Sequence, residues 1–398
     1  MYDEGQLRRM AEEVTSVKAP FGFTPRFAMK ALPNRTVLRL FHSLGLQFDV
    51  SSGYEIERAL LYGIPPAHLC LSSQELPKSP HLLRGGVHFN ACSLHQLDWF
   101  GEHFPGEEVG VRINPGVGSG GHVKTNVAGQ SSAFGIWAGC CDEAKEVALK
   151  HQLKIVRVHT HIGSGTDPAV WEQVAEDSSR LLSIFTDAHT LNLGGGFKVD
   201  RMTGHSSDLQ QVGKLVGAKL VSYAEQTGRQ IRLELEPGTH LAALAGVLLT
   251  TVMDKVHTHL PDGSGNIFLK LDAGMTEILR PTMYNAAHPF QLVPQGTGRE
   301  GLPEINVSIV GHCCESGDLI SLRDEAGSLV PTTLPATEIG DLLLVGGAGA
   351  YCSSMSAKNY NSFPEAPEVL LRCSGEAVLL RAKQTIQQMV QNEVDVPL

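Results

Sequence analysis

The spacing of apolar and polar positions changes several times along this chain, and each change predicts an element. In MYDEGQLRRMAEEV, Leu7, Met10 and Val14 recur at helical spacing, which predicts an amphipathic helix over residues 2–14. Short apolar runs then alternate with amphipathic segments. RFAMKALPN reads as a strand ending near Lys30, TVLRLFHSLG as a helix, LQFDVSS as a strand, YEIERALLYG as a helix and HLCLSS as a strand. Strand-like runs follow at 87–90, 109–114, 155–163, 190–196 and 231–238, several of them separated by helix-length charged segments such as CDEAKEVALKHQ and AVWEQVAEDSSRLLSIF. About eight strands in roughly 220 residues fit a (β/α)8 barrel over residues 1–244, with an open doubly wound sheet as the rival.

Beyond residue 245 the period shortens. TVMDKVHTH, NIFLKLDAG, INVSIVG, DLLLVG, EVLLR and EAVLLRAK are separated by glycine and proline turns without helices of useful length, so residues 245–398 read as an antiparallel β domain closed by a terminal helix, TIQQMVQNEV. The run LAALAGVLLTTVM at 241–253 is expected to be a buried strand. At thirteen residues it falls short of the ~20 needed to cross a bilayer. No basic segment followed by an unbroken apolar one opens the chain, which makes the cytoplasm the expected location.

Composition narrows the function classes. With 398 residues and 42% apolar content the chain is long enough for two domains. A formal net charge of -10 argues against nucleic acid as a partner. The eight cysteines include two adjacent doublets and no CxxC pair, so they are expected to be free thiols.

Barrel enzymes assemble their sites from the C-terminal ends of several strands, and there this sequence places Lys30, Asp49, Arg112, His161, Gly194–Gly196 and Glu236. HTHIGSGTD and LNLGGGFKVD each join a strand to a glycine-rich turn whose N–H groups suit an anion. An amine, a glycine-held phosphate and a carboxylate together suit pyridoxal 5'-phosphate: the lysine meets the aldehyde and Glu236 keeps the pyridine nitrogen protonated. His159 and His161 share strand parity, and as zinc ligands they lack a third and fourth companion. In the second domain GHCCESGD concentrates thiols and carboxylates, RPTMY offers Arg280 and Tyr284, and Tyr351 lies in a Gly- and Ser-rich loop. An arginine beside tyrosines implies a carboxylate-bearing substrate.

FAMKALPN, FDVSSGYEIERAL, VRINPG, the KTN to FGIW region at 124–137, HTHIGSG, LGGG, LELEPG, DAGMTEILRPTMY, CCESGD and GAYCSSMSAKNYN together resemble the alanine-racemase-type (fold type III) pyridoxal phosphate decarboxylases. The resemblance implies that Lys30 carries the cofactor, Asp49 neighbours it and His161 stacks on its ring. It further implies that Ser164, Gly194, Gly195, Gly196 and the backbone from Glu236 to Gly238 cradle the phosphate, with Glu236 facing the ring nitrogen and Tyr351 nearby. Arg280 and Tyr284 would hold a distal carboxylate and Glu315 a distal ammonium, and Cys314 would return a proton after carbon dioxide leaves. The expected reaction is conversion of meso-2,6-diaminopimelate to L-lysine by a homodimer whose CESGD loop enters the neighbouring site; a decarboxylase of lysine, ornithine or arginine is the alternative, and a racemase a further one. Two departures stand out: EPGT places Thr239 where the family commonly has arginine, and MYDE lacks the strand that usually precedes this position, so either the β domain misses that edge or the start is misplaced.

Overall fold

The computed structural model describes residues 1–116, 128–161, 163, 167–258, 265–299 and 301–397. It divides into two compact units, one of Arg8–Val199 with His205–Leu241 and the other of Met1–Leu7, Asp200–Gly204 and Ala242–Leu398. Two short segments, one at the N-terminus and one in mid-chain, therefore group with the C-terminal unit, and the last change of unit falls at Leu241–Ala242.

In the first unit eight parallel strands close on themselves. Phe23–Ala28 pairs with Gln47–Val50, then follow Leu69–Leu71, His88–Ala91, Glu108–Asn114, Lys154–Thr160, Thr190–Asn192 and Arg232–Leu235, and the last pairs back with the first. This is the closed barrel expected from the apolar runs. Their outward residues, including Phe27, Phe48, Leu71, Val111, Val158, Leu191 and Leu233, are almost fully buried. Burial of such side chains stabilises by about 1.5–3 kcal/mol each.

Side-chain oxygens start the outer helices. Asn34, Ser52, Ser93 and Asp208 each accept a backbone N–H from the first turn of the helices Arg35–Ser43, Gly53–Leu61, Leu94–His103 and Leu209–Thr227. Between Leu69–Leu71 and His88–Ala91 the crossover holds only the 3-10 turn Pro80–Leu83. Inside the barrel, alternation along Lys154–Thr160 and Arg232–Leu235 turns Arg157 and Glu234 inward beside Arg26, and one step nearer the C-terminal mouth come His159 and Glu236.

The second unit is built on a six-stranded sheet ordered Phe290–Val293, Leu342–Val345, Leu248–His257, Ile267–Leu271, Glu304–Val310 and Thr332–Pro335. Every pairing in it is antiparallel except Ile267–Leu271 with Glu304–Val310. Val252, Leu269, Ile309, Leu343 and Val345 lie at the centre of its apolar core.

Three expectations need correction here. The 241–253 run begins as helical turns, Thr239–Ala242 and Ala243–Ala245, and becomes strand only at Leu248, with Met253 exposed. Of the terminal helix only Ile386–Met389 forms. The edge expected to be missing is supplied by Tyr2–Asp3, which pairs in parallel with Leu370 and Leu371. Among the described residues no helix is long and apolar enough to cross a membrane.

Candidate active site

The barrel mouth gathers a lysine, two carboxylates, two histidines and a glycine turn. Lys30 lies in a 3-10 turn directly after Phe23–Ala28, and its Nζ donates to Asp49 Oδ2 at 3.3 Å and Ser51 Oγ at 3.1 Å. Its side chain is 49% exposed, whereas that of Asp49 is 3% exposed. The Ser51 backbone N–H donates to Glu55 Oε2 at 2.7 Å, which fixes the segment next to the lysine. Glu236 follows Arg232–Leu235 and is buried; its Oε1 accepts from Asn192 Nδ2 at 2.6 Å and its Oε2 lies 3.5 Å from His159 Nε2.

Gly194–Gly196 follows Thr190–Asn192. A Cβ on Gly194, at φ 69°, would meet His161 Nδ1 at 2.6 Å, and one on Gly195 would meet the Glu236 carbonyl at 2.4 Å. Only glycine permits this turn to approach both neighbours. Gly238 is buried just beyond Glu236, while Pro237 O accepts the Ala28 N–H at 3.2 Å, so the segments bearing Glu236 and Lys30 are bonded together. Ser164 lies outside the described residues.

Electrostatics prepare this mouth for a guest. Burial raises the Asp49 carboxyl, and Glu236 adds to that, while Lys30 and His159 pull it down. Glu236 is likewise raised by burial and opposed by Lys30, Asn192 and Arg112. Burial and then Arg112 push His159 down to about 3 and hold His161 well below the usual histidine range, so both rings are neutral near pH 7. The two histidines differ in place despite their shared parity: His159 is inside a strand, and His161 lies past its end against the glycine turn.

Among the described residues, Asp49 Oδ1, His159 Nε2 and His161 Nδ1 are buried polar atoms with no hydrogen-bond partner. Their gathering at one barrel mouth leaves polar atoms that a ligand there could satisfy. A half-exposed amine beside a buried carboxylate, a turn with no room for side chains and a neutral imidazole fit pyridoxal phosphate.

The second unit carries the remaining sequence candidates. Arg280 begins the helix Arg280–Tyr284, its guanidinium carbon 5.7 Å from the Tyr284 ring centre and its Nε buried without a partner among the described residues. Thr282 Oγ1 donates to Gly317 O at 2.8 Å, which brings that helix against the loop bearing Cys314 and Glu315. Cys314 is exposed and its N–H donates to Asn361 Oδ1 at 2.8 Å. Glu315 Oε1 accepts the Gly317 N–H at 2.9 Å. Tyr351 has φ 56°, a left-handed conformation that a non-glycine residue adopts under strain.

Two supporting residues escaped sequence reasoning. Asp318 accepts the N–H groups of Met275 at 2.7 Å and Cys313 at 2.8 Å, and the flanking Gly274 and Gly311 have no room for a Cβ beside its carboxylate. The signal was present in the glycines around that acid. Arg201 donates through Nε to Gly347 O at 2.8 Å and through Nη2 to Ala350 O at 3.4 Å, holding the turn that leads to Tyr351. Burial and then Arg280 lower it to about 10, and no local pattern foretold its place.

A family model described as "Pyridoxal-dependent decarboxylase, pyridoxal binding domain" matches residues 5–243. Diaminopimelate decarboxylase of Escherichia coli (strain K12) is 35% identical over 378 residues, covering 93% of this chain and 88% of that protein. A crystal structure of diaminopimelate decarboxylase superposes with a TM-score of 0.89 at 34% identity, covering 98% of this chain and 92% of the other. The M. jannaschii diaminopimelate decarboxylase in co-complex with L-lysine gives a TM-score of 0.81 at 26% identity, covering 100% and 91%.

Proposed function

Because this chain belongs to the pyridoxal-dependent decarboxylases, we propose that it converts meso-2,6-diaminopimelate to L-lysine and carbon dioxide, as a cytoplasmic homodimer using pyridoxal 5'-phosphate. The observation that carries this reading is the convergence of Lys30, Asp49, His161, Gly194–Gly196 and Glu236 at one mouth of a closed barrel. When bound, the cofactor supplies an electron sink for the pair left behind as the carboxylate departs.

Each side chain has a task in this scheme. Lys30 would carry the cofactor, with the Asp49 carboxylate beside its amine. Glu236 would face the ring nitrogen and favour its protonated form. His161, neutral, would contact the ring, and the glycine turn with Ser164 and Gly238 would receive the phosphate. In the second unit the unpartnered Arg280 Nε supports recognition of a substrate carboxylate, with Tyr284 beside it; Glu315 receives the distal ammonium and Tyr351 lines the cofactor. Cys314, exposed on its loop, returns a proton to the carbon in the partner protomer's site.

Purified wild type is expected to show a visible absorption band that borohydride removes, and Lys30→Ala to lack it while losing roughly 10²–10⁴-fold activity from acid–base work alone. Identical spectra would refute lysine attachment. Carbon dioxide release should be greatest with meso-2,6-diaminopimelate among lysine, ornithine and arginine. Thr239, a hydroxyl without the charge or fork of an arginine, is the residue to examine should a monocarboxylate win.

A further inference from the structure

Asn192 is fully buried at the end of its barrel strand, two residues before the glycine turn. Its Oδ1 accepts the Gly194 N–H at 2.8 Å, and its Nδ2 donates to Glu236 Oε1 at 2.6 Å and lies 3.4 Å from Glu234 Oε2. The Gly194 N–H can only donate, so the amide oxygen must face it and the NH2 must face the carboxylates. Among the described residues this is the one hydrogen bond made to the Glu236 carboxylate, since His159 Nε2 stands 3.5 Å from the other oxygen. The backbone adds a parallel link, Glu236 N–H to Gly194 O at 2.8 Å, but it leaves the carboxylate free to rotate.

We propose that Asn192 is a positioning residue: one buried amide sets the orientation of Glu236 and ties it to the Gly194–Gly196 turn, so the ring-nitrogen and phosphate ends of the cofactor site are held in register. This rests on the decarboxylase reading above. The donated bond also favours ionised Glu236, which is the form the role requires. The groups facing Glu236 are Lys30 and Arg112, which favour its charge, Asp49 and Glu234, which oppose it, neutral His159, and the more distant Arg26, Cys70 and Cys92. Without Asn192 only Lys30 and Arg112 counter the effect of burial, and Glu236 takes up its proton at higher pH.

The test compares the wild-type holoenzyme with Asn192→Leu, which keeps volume but not polarity, with Glu236→Gln and with the double variant. Asn192→Leu should lower kcat by about 10–100-fold, the worth of one hydrogen bond to a charged group, and move the acid limb of the kcat profile upward by about one pH unit. In the Glu236→Gln background the same substitution should cost under about threefold, because residues acting through one another are not additive. As a readout apart from turnover, apoprotein affinity for pyridoxal 5'-phosphate, followed by tryptophan quenching, should weaken with a pH dependence that Glu236→Gln abolishes. Equal losses in both backgrounds, or an unmoved acid limb, would overturn the proposal. Asn192→Ala replaces the leucine variant if the latter does not fold. A wild type without the borohydride-sensitive band defeats the underlying reading; a normal band with additive losses defeats only the role of Asn192.

Discussion

Inside the barrel unit, Arg26 and Arg157 close on Glu234 from two strands. Arg26 donates through Nε at 3.1 Å and Nη2 at 2.9 Å and Arg157 through Nε at 3.1 Å, with the three side chains 2–8% exposed. Inside the second unit, the central cluster from Val252 to Cys352 is apolar throughout. Asp318 and Asp341, buried in that unit, lie beside turns and accept backbone N–H groups, Asp341 pairing with Arg299 as well. The contrast teaches where chemistry can be placed. A closed ring of parallel strands presents fixed charges from several directions, so one layer of it can hold an ionised carboxylate in the dark. The next layer, with Asn192, His159 and Glu236, is the floor of the site. An apolar sheet core gives stability but no such floor.

The largest expected effect comes from breaking the charged layer. Burial alone would raise Glu234, yet Arg26 and Arg157 together pull it well below the usual carboxylate range. Glu234→Ala would strand both guanidiniums and should destabilise the barrel by about 3–5 kcal/mol. All three tryptophans, Trp99, Trp137 and Trp171, belong to the barrel unit, so their fluorescence in a urea titration reports on it. A loss below about 1 kcal/mol would mean that the charged layer is no more demanding than an exposed pair, and the contrast between the units would fail.

A smaller effect, dependent on pH, sharpens the same contrast. His88 opens a barrel strand next to this layer; burial and then Arg157 and Arg26 push it down to about 4. Between pH 6.5 and 4 the unfolded chain therefore takes up a proton that the folded barrel refuses, and stability falls with acidification by up to about 1.4 kcal/mol per pH unit. Asp49 and Glu236, raised in the folded state, act in the opposite sense and offset part of the wild-type slope. Comparing His88→Asn with wild type removes that background: the variant should show a shallower loss over this window in urea titrations at several pH values. Parallel slopes would mean that the arginines do not reach His88.

The barrel was legible because each strand is a short apolar run and several of these runs are separated by helix-length charged segments. The mouth residues Lys30, Asp49, His161 and Glu236 could be picked out because they fall at the C-terminal ends of those runs. The start of the Leu248–His257 strand was not legible, since a continuous apolar run has no period to separate helix from strand. Nor was the grouping of Asp200–Gly204 with the second unit, within which Arg201 reaches the Gly347 carbonyl 146 residues away. Asn192 was passed over because an amide in an apolar strand reads as a tolerated polar residue until its two partners are seen.

The smallest effect comes from a pair that looks, by distance alone, equal to the one in the barrel. On the second unit Lys270 Nζ lies 2.8 Å from Asp254 Oδ2, slightly shorter than the 2.9 Å between Arg26 and Glu234, but its side chains are 46% and 49% exposed. Water already solvates both ends, salt screens them, and holding the long lysine in one rotamer offsets what the contact contributes. Lys270→Ala should leave the urea midpoint of the sheet, followed by far-ultraviolet circular dichroism, within the scatter of replicate titrations, and any residual difference should vanish in molar salt. A clear, salt-resistant loss would show that proximity alone sets the worth of an ion pair here. The size of the Glu234→Ala effect would then no longer distinguish a buried charged layer from an exposed contact, and the distinction between the two units would have to rest on packing.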